Sequence, residues 1–334
     1  MSIRLGINGF GRIGRYLTRL VSQTSGEFEI AGINARASNK DLAHLLKYDS
    51  VHGHFPGTVD SYENGIVVNG VEIPVTRFQK GEWTWKELGA DLVVDTTGSL
   101  KKREDLALHM DRGAKKVIMS APLKDADVTI VMGVNEGAYD PKQHDVISAA
   151  SCTTNCLAPA AKVINDTFGI SHGLMTTIHS YTMSQRILDG SLKDIRRARA
   201  ACMSLIPTST GAASAVGKVI PELQGRLDGI AVRVPTPNVS MVDLTCVLNR
   251  EATAEEVNAA LRQACETTLK DNLGYSEEPL VSIDYNGDTH GGVVDALNTA
   301  VMNKTMLKLL IWYDNEAGFT NQLLRLVRLV GKQM

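Results

Sequence analysis

Ile3-Arg4-Leu5-Gly6-Ile7-Asn8-Gly9-Phe10-Gly11-Arg12-Ile13-Gly14 opens the chain, and its reading decides the fold. Ile3, Leu5 and Ile7 make a short apolar run of buried-strand type. Ile13, Leu17, Leu20 and Val21 then recur at helical spacing. Between them stand Gly9, Gly11 and Gly14 in the spacing G-x-G-x-x-G. Glycines so placed permit a tight turn and let a pyrophosphate approach the backbone at the positive end of a helix. Phe28 to Ile33 supplies a second strand about twenty residues on, where a dinucleotide fold needs one. That fold expects an acid at the end of this strand, to hold a ribose 2′-hydroxyl. Asn34-Ala35-Arg36 stands there instead. Without the carboxylate a 2′-phosphate is not repelled, and Arg36 can pair with one, so the residues point to NADP, alone or alongside NAD. The bland alternative leaves Arg36 in water.

Working outward, Asp41 to Tyr48 reads as a helix with Leu42, Leu45 and Leu46 on one face. Ile66-Val67-Val68 and Val71-Glu72-Ile73 flank Asn69-Gly70, a hairpin signature. Leu92-Val93-Val94 and Lys116-Val117-Ile118-Met119 are further strands. This alternation implies a parallel sheet covered on both faces. The second half changes character. A helix starts near Thr153 with Leu157, Ala160, Ala161, Ile164 and Phe168 on one stripe. Gly173 to His179, Ala231 to Val234, Ser240 to Leu248 and Met306 to Tyr313 read as strands. Thr253 and Glu256 form a capping box, and Leu323, Leu324, Val327 and Val330 mark a last helix. The expected architecture is α/β: a Rossmann-like parallel-sheet nucleotide-binding domain over 1–151, completed by a C-terminal helix at 316–334. An α+β catalytic domain with a mixed or antiparallel sheet fills 152–315.

Composition narrows the function. The 334 residues suit about two domains of roughly 150 residues each. A net charge of -2 disfavours an electrostatic grip on nucleic acid. No stretch approaches the ~20 apolar residues of a membrane span. The N-terminus enters a strand at once, without a signal-peptide pattern. Five scattered cysteines make a poor disulfide framework and fit the cytoplasm.

Ser151-Cys152-Thr153-Thr154-Asn155-Cys156 carries the chemistry. A cysteine at a helix start has a depressed pKa, and an imidazole beside it lowers it further. Cys152 meets the first condition, and His179, ending a strand, can supply the second and act as base. Cys202, Cys246 and Cys265 read as inert core residues, and Cys156 has no evident role. A zinc site from Cys152, Cys156 and His179 lacks a fourth ligand, so no metal is expected. The cluster Arg196-Arg197-Ala198-Arg199, the run Thr208-Ser209-Thr210-Gly211 and the lone Arg233 in an apolar strand are candidate anion pockets.

Asn8 to Gly14, Ala150 to Pro159, Arg233-Val234-Pro235-Thr236-Pro237-Asn238 and Trp312-Tyr313-Asp314-Asn315-Glu316 together resemble phosphorylating glyceraldehyde-3-phosphate dehydrogenases, across essentially the whole chain. The resemblance implies a homotetramer that converts glyceraldehyde 3-phosphate, phosphate and NAD(P)+ to 1,3-bisphosphoglycerate and NAD(P)H. It implies Cys152 as nucleophile and His179 as base. Thr182 and Arg233 would hold the substrate phosphate. Ser151, Thr153, Thr210 and Gly211 would hold the attacking phosphate, with Arg197 nearby. Gly9, Phe10, Gly11, Arg12, Ile13, Gly14, Asn34, Ala35, Arg36, Thr97, Gly98, Ser120 and Asn315 would line the cofactor site. NAD-preferring members carry an acid at Ala35 and often Leu-Pro where this chain has Gly190-Ser191. Both departures resemble NADP-using members, with Ser191 and Arg77 as further candidates near the cofactor. The enzymatic rival is an erythrose-4-phosphate dehydrogenase. The rival of another class is a redox-sensing or RNA-binding protein on the same scaffold.

Overall fold

The computed structural model describes residues 2–334, which divide into two units. One unit runs to Ile130 and adds Glu136–Ala150 and Leu323–Met334. The other comprises Val131–Asn135 and Ser151–Gln322. The division falls within the last helix, seven residues later than the 315/316 boundary read from the sequence.

In the first unit the strands are β1 (Ile3–Asn8), β2 (Phe28–Asn34), β3 (Tyr48–Asp49), β4 (Gly53–His54), β5 (Val59–Tyr62), β6 (Gly65–Val68), β7 (Val71–Thr76), β8 (Leu92–Asp95), β9 (Lys116–Met119), β10 (Val128–Thr129) and β11 (Val146–Ser148). Nine of them form one sheet in the order β10-β11-β9-β8-β1-β2-β7-β6-β5. Every pairing from β10 across to β7 is parallel, and β5, β6 and β7 form an antiparallel meander. Helices α1 (Arg12–Val21), α2 (Asn39–Lys47), α3 (Trp85–Leu88) and α4 (Arg103–Asp111) connect the strands. Strand order reverses between β1 and β8, and a doubly wound sheet binds its ligand outside the carboxyl ends of strands at such a point. Asn69 and Gly70 both take positive φ, 49° and 81°, as the Asn-Gly hairpin turn requires. Leu42 and Leu46 of α2 are buried, but Leu45 is exposed. Residues 42 and 46 share a helix face, while 45 is displaced from 46 by a full 100° step.

The second unit holds α5 (Cys152–Phe168), β12 (Ile170–Ser180), β13 (Ile206–Ser209), α6 (Ala212–Val219), β14 (Leu227–Val234), β15 (Ser240–Leu248), α7 (Ala254–Glu266), β16 (Leu273–Ser276), β17 (Gly292–Met302), β18 (Met306–Tyr313) and the first turns of α8 (Ala317–Gln333). Its sheet is mixed, in the order β13-β14-β12-β15-β18-β17-β16. Burial alternates along β15 and β18. Val242, Leu244, Leu307, Leu309 and Ile311 are buried on the face that meets α5. The capping box at Thr253 and Glu256 is present. Among the described residues no helix is long and apolar enough to cross a membrane.

Candidate active site

Gly9 has φ +95°, a conformation that L side chains rarely adopt, and a Cβ there would meet Thr97 at 3.0 Å. A Cβ at Gly14 would lie 2.4 Å from Gly9 O, so the third glycine lets α1 close on the turn. Gly11 caps α1 without any side-chain hydrogen bond, and the space beside it is open. The start of α1 presents backbone N–H groups of the kind that a dinucleotide's pyrophosphate needs, and the residues present fit one. The guanidinium of Arg12 forms a two-pronged ion pair with Asp49. Burial pushes the Asp49 carboxyl up, but Arg12 and the N–H groups of His52 and Val51 outweigh it and hold it well below the usual range.

Beneath the clasp runs a buried polar chain that no local pattern announces. Asn34 Nδ2 donates to Asn8 Oδ1 (2.9 Å), and Asn8 Nδ2 donates to Asp95 Oδ2 (2.6 Å). Asp95 Oδ1 accepts from the N–H and hydroxyl of Thr97, at 3.0 and 2.8 Å. His109, fully buried, stacks on Trp83 and accepts from Trp85 Nε1 at 2.9 Å. Its Nε2 faces Asp95 at 3.4 Å, and burial lowers its pKa, so it is a neutral Nε2–H donor. Asn34 Oδ1 accepts from Phe78 N–H, tying β2 to the segment after β7. Asn34 thus positions the strand end, and Asp95 positions Thr97 and the left-handed Gly98 (φ +62°). Ser120 joins the same edge by donating its N–H to Asp95 O.

At the tip of β2, Ala35 is buried and Arg36 is exposed with no hydrogen bond or ion pair among the described residues. Arg77 reaches the same loop, donating to Ala37 O (2.8 Å) and Asn39 Oδ1 (2.7 Å). Two guanidinium groups thereby attend a loop that bears no carboxylate at position 35.

The thiol centre is assembled from three strands and a helix start. Ser151 caps α5, its Oγ accepting from Thr154 N–H at 3.0 Å. Ala150, just before it, is held at φ +57°, an alanine in the left-handed region. The turn presents Cys152 as the first residue of α5, with Sγ 3.5 Å from His179 Nε2. β12 and β14 run parallel in a register that sets His179 beside Arg233. Arg233 Nη1 lies 2.7 Å from His179 Nδ1 and 2.9 Å from Ser180 O. Its buried Nε has no hydrogen-bond partner. Tyr313, from β18, sets its hydroxyl 2.9 Å from Thr153 Oγ1 and 2.8 Å from Thr177 Oγ1, with its ring edge-on to His179. Sequence reasoning missed Tyr313, and its one signal was a polar group on the buried phase of an apolar strand. Cys156 packs its sulfur against Gly292, where a Cβ would come within 3.0 Å. Among the described residues no group of three or more His, Cys, Asp and Glu is placed to hold a metal.

The electrostatics correct one expectation. Burial pushes the Cys152 thiol up, and the downward pull of Arg233 and of the Thr153 hydroxyl and N–H does not overcome it. The hydrogen bonds at the helix start pull in the direction the sequence argument holds, but desolvation of the half-buried residue is the larger influence. His179 is driven down to about 3, first by burial and then by Arg233, with Ser180 O opposing.

Residues 3–103 match the model of the glyceraldehyde 3-phosphate dehydrogenase NAD-binding domain, and residues 151–315 match that of the C-terminal domain. The chain is 55% identical to glyceraldehyde-3-phosphate dehydrogenase of Geobacillus stearothermophilus over 334 residues, covering 100% of this chain and 99% of the relative. The chain belongs to the glyceraldehyde-3-phosphate dehydrogenase family. It is also 55% identical to glyceraldehyde-3-phosphate dehydrogenase 1 of Bacillus subtilis, again over 100% of this chain and 99% of the relative. It is 49% identical to the Streptomyces coelicolor enzyme over the full length of both.

The remaining residues that resemble the anion sites of glyceraldehyde-3-phosphate dehydrogenases lie along β13, β14 and their loops. Arg197 Nε donates to Thr208 Oγ1 (2.9 Å) and pairs with Asp194 at 3.3 Å. Arg233 is held below its ordinary range chiefly by burial, and the charge of Arg197 acts in the same direction. Thr210 Oγ1 accepts from Ala212 N–H, and Gly211 caps α6 with no side-chain bond. Thr182 shares its hydroxyl with Ser184 at 2.9 Å. Ser191 is exposed, its carbonyl accepting from Arg186. Asn315 is buried and accepts from Ser240 Oγ at 2.8 Å, while Ser240 Oγ accepts from Ser180 N–H. The side-chain oxygen of Asn315 is thereby engaged.

Proposed function

We propose that this chain is a cytoplasmic homotetramer that reversibly converts D-glyceraldehyde 3-phosphate, inorganic phosphate and NAD(P)+ to 1,3-bisphosphoglycerate and NAD(P)H. The observation that carries this reading is the Cys152 sulfur at a helix start, 3.5 Å from His179 Nε2, with Arg233 behind the ring. The Cys152 thiol adds to the aldehyde carbon as its proton passes by way of His179 to the carbonyl oxygen, forming a thiohemiacetal. N–H groups at the start of α5 stabilise its oxygen. A bound nicotinamide would supply the hydride acceptor for that carbon. His179 Nε2 takes the hydroxyl proton, leaving a thioester on Cys152. An oxygen of inorganic phosphate then attacks the thioester, the C–S bond breaks, and the Cys152 thiolate leaves. Thr182 and Arg233 hold the substrate phosphate. Ser151, Thr153, Thr210 and Gly211, with Arg197 nearby, hold the attacking one, and Asn315 orients the carboxamide. Rapid quench and mass spectrometry of the peptide bearing residue 152 tests the sequence of steps. An acyl adduct without added phosphate, consumed when phosphate is supplied, is the expected result. Its absence would remove sulfur from the mechanism. Comparing glyceraldehyde 3-phosphate with erythrose 4-phosphate at equal cofactor tests the substrate.

NADP is the favoured cofactor. The support is the missing carboxylate at Ala35, the unpaired Arg36, the approach of Arg77 to the same loop, and Ser191. Steady-state assays with NAD+ and NADP+ should favour NADP+, and Ala35→Asp should reverse the preference. An Ala35→Asp enzyme with unchanged preference would overturn this reading. The tetramer is supported by the outward face of the second unit's sheet, where Leu174, Ile230 and Met306 are exposed. Such a patch on a soluble chain needs cover. Met183, Ile187, Leu188, Ile195 and Met203 add an exposed apolar loop. Sedimentation should give four times the 36.2 kDa chain mass.

A further inference from the structure

Val239 stands at φ +66°, and among the described residues with positive φ it is the only β-branched one. A branched side chain is strained in that region, so its surroundings must hold it there. What holds it is burial: Val239 packs with Tyr285 and Val293, and Leu280 and Trp312 close over the cluster.

The strained residue stands where β15 stops pairing with β18. Their antiparallel register ends at Ser240 opposite Tyr313, and continued it would set residue 238 opposite 315. Instead Asn238 Nδ2 donates to Asp314 Oδ2 at 2.8 Å, and Ser240 Oγ donates to Asn315 Oδ1 at 2.8 Å. The two residues flanking Val239 thus hold two successive residues beyond the strand end. Rotating Val239 to a relaxed, negative φ would swing one of these contacts away from the other. The same turn grips the residue after His179. Ser180 is fully buried, and its N–H donates to Ser240 Oγ at 3.1 Å. Its hydroxyl donates to Val239 O at 2.6 Å, and its carbonyl lies 2.7 Å from His179 Nδ1. An unbroken path runs from the imidazole through Ser180 and Ser240 to Asn315, and Val239 fixes its middle.

We infer that Val239 is a positioning residue for hydride transfer, its left-handed turn setting the separation between the His179 ring and the Asn315 side chain. The inference rests on the roles proposed above for His179 as base and Asn315 at the carboxamide. In that step the thiohemiacetal loses its hydroxyl proton to His179 and its hydride to a bound nicotinamide. An error in the spacing of the two groups therefore slows this step and not the reactivity of the sulfur.

Glycine is at ease at this φ and lacks the buried anchor, so Val239→Gly frees the turn without a clash. Amide exchange in the protein without cofactor is the first readout. The Ser180 N–H should exchange about tenfold faster in Val239→Gly than in wild type, while the middle of β12 keeps its rate. Hydride transfer in a single turnover without added phosphate should fall about 10–100-fold, with the rate of Cys152 alkylation preserved. Unchanged exchange at Ser180, or unchanged hydride transfer, would overturn the inference. Ser240→Ala cuts the path with the buried valine left in place, so it should give the same loss even if Val239→Gly does not fold. The double variant should be no slower than Ser240→Ala alone, because both changes break one path. Losses that multiply would mark a separate structural effect and overturn the inference. Asn315→Ala tests the reading underneath. Unchanged hydride transfer in that variant would remove the assignment of Asn315 and the inference with it. A slowed Asn315→Ala beside an unaffected Ser240→Ala would overturn the inference alone.

Discussion

The dinucleotide clasp and the thiol centre do their work with different parts of the chain. The clasp is built from backbone: Gly9 supplies a left-handed turn, Gly14 a close approach, and α1 the N–H groups of its first turn. Its side chains, Asn8, Asn34, Asp95 and Arg12, are turned to holding the loops. The thiol centre is built from side chains on Cys152, His179, Arg233 and Tyr313, delivered by α5, β12, β14 and β18. A generic phosphate handle can be made from any residues of the right φ. A proton-transfer site needs specific groups at specific distances, and only a rigid sheet register supplies those.

Removing the reacting atom tests the contrast most severely. Cys152→Ser should lower turnover by about 10⁴-fold or more while cofactor affinity, read by fluorescence titration, stays unchanged. Weaker cofactor binding would mean that the two regions are not separable. His179→Asn should cost about 10²–10⁴-fold in hydride transfer and flatten its pH dependence. A retained pH profile in single-turnover kinetics would point to another base. Gly14→Ala tests the backbone side: its Cβ would meet Gly9 O at 2.4 Å. About 1–3 kcal/mol of stability and much of the cofactor affinity should go, with Cys152 alkylation rates preserved.

Asp49→Asn carries the smallest expected effect, about 1–2 kcal/mol in denaturant melts. Its sign with pH follows from the depressed carboxyl. The Arg12–Asp49 pair contributes fully above the unfolded pKa of about 3.9 and is lost as pH falls toward the lower folded value. The difference between wild type and variant should therefore be flat from about pH 5 to 7 and narrow below about pH 4. A gap that widened on acidification would contradict the pairing.

These two regions were unequally legible in the sequence. The glycine spacing is local, so a turn between a strand and a helix could be read without knowing what packs beside it. Cys152 was legible for the same reason, as a cysteine beside a capping serine. His179 was placed by its position at a strand end, and Arg233 by the cost of a lone charge in an apolar run. Their adjacency depends on the β12–β14 register, which no local pattern encodes. Tyr313 was invisible for the same reason, since its partners Thr153 and Thr177 stand 160 and 136 residues away. The Arg12–Asp49 pair spans 37 residues, a brace that no local pattern encodes. The upward direction of the Cys152 shift was missed because desolvation depends on what the finished fold packs around a side chain.

Gly292 has a consequence beyond its own strand. A Cβ there would also press on Ile311 at 2.9 Å and on Cys156 Cα at 3.2 Å. Cys156 lies one turn along the helix that begins with Cys152. The glycine therefore serves as a gauge for the height of that helix above the sheet. Any larger residue at 292 would lift the sulfur off its imidazole, so reactivity at the front of the helix is set by an empty side-chain position at its back.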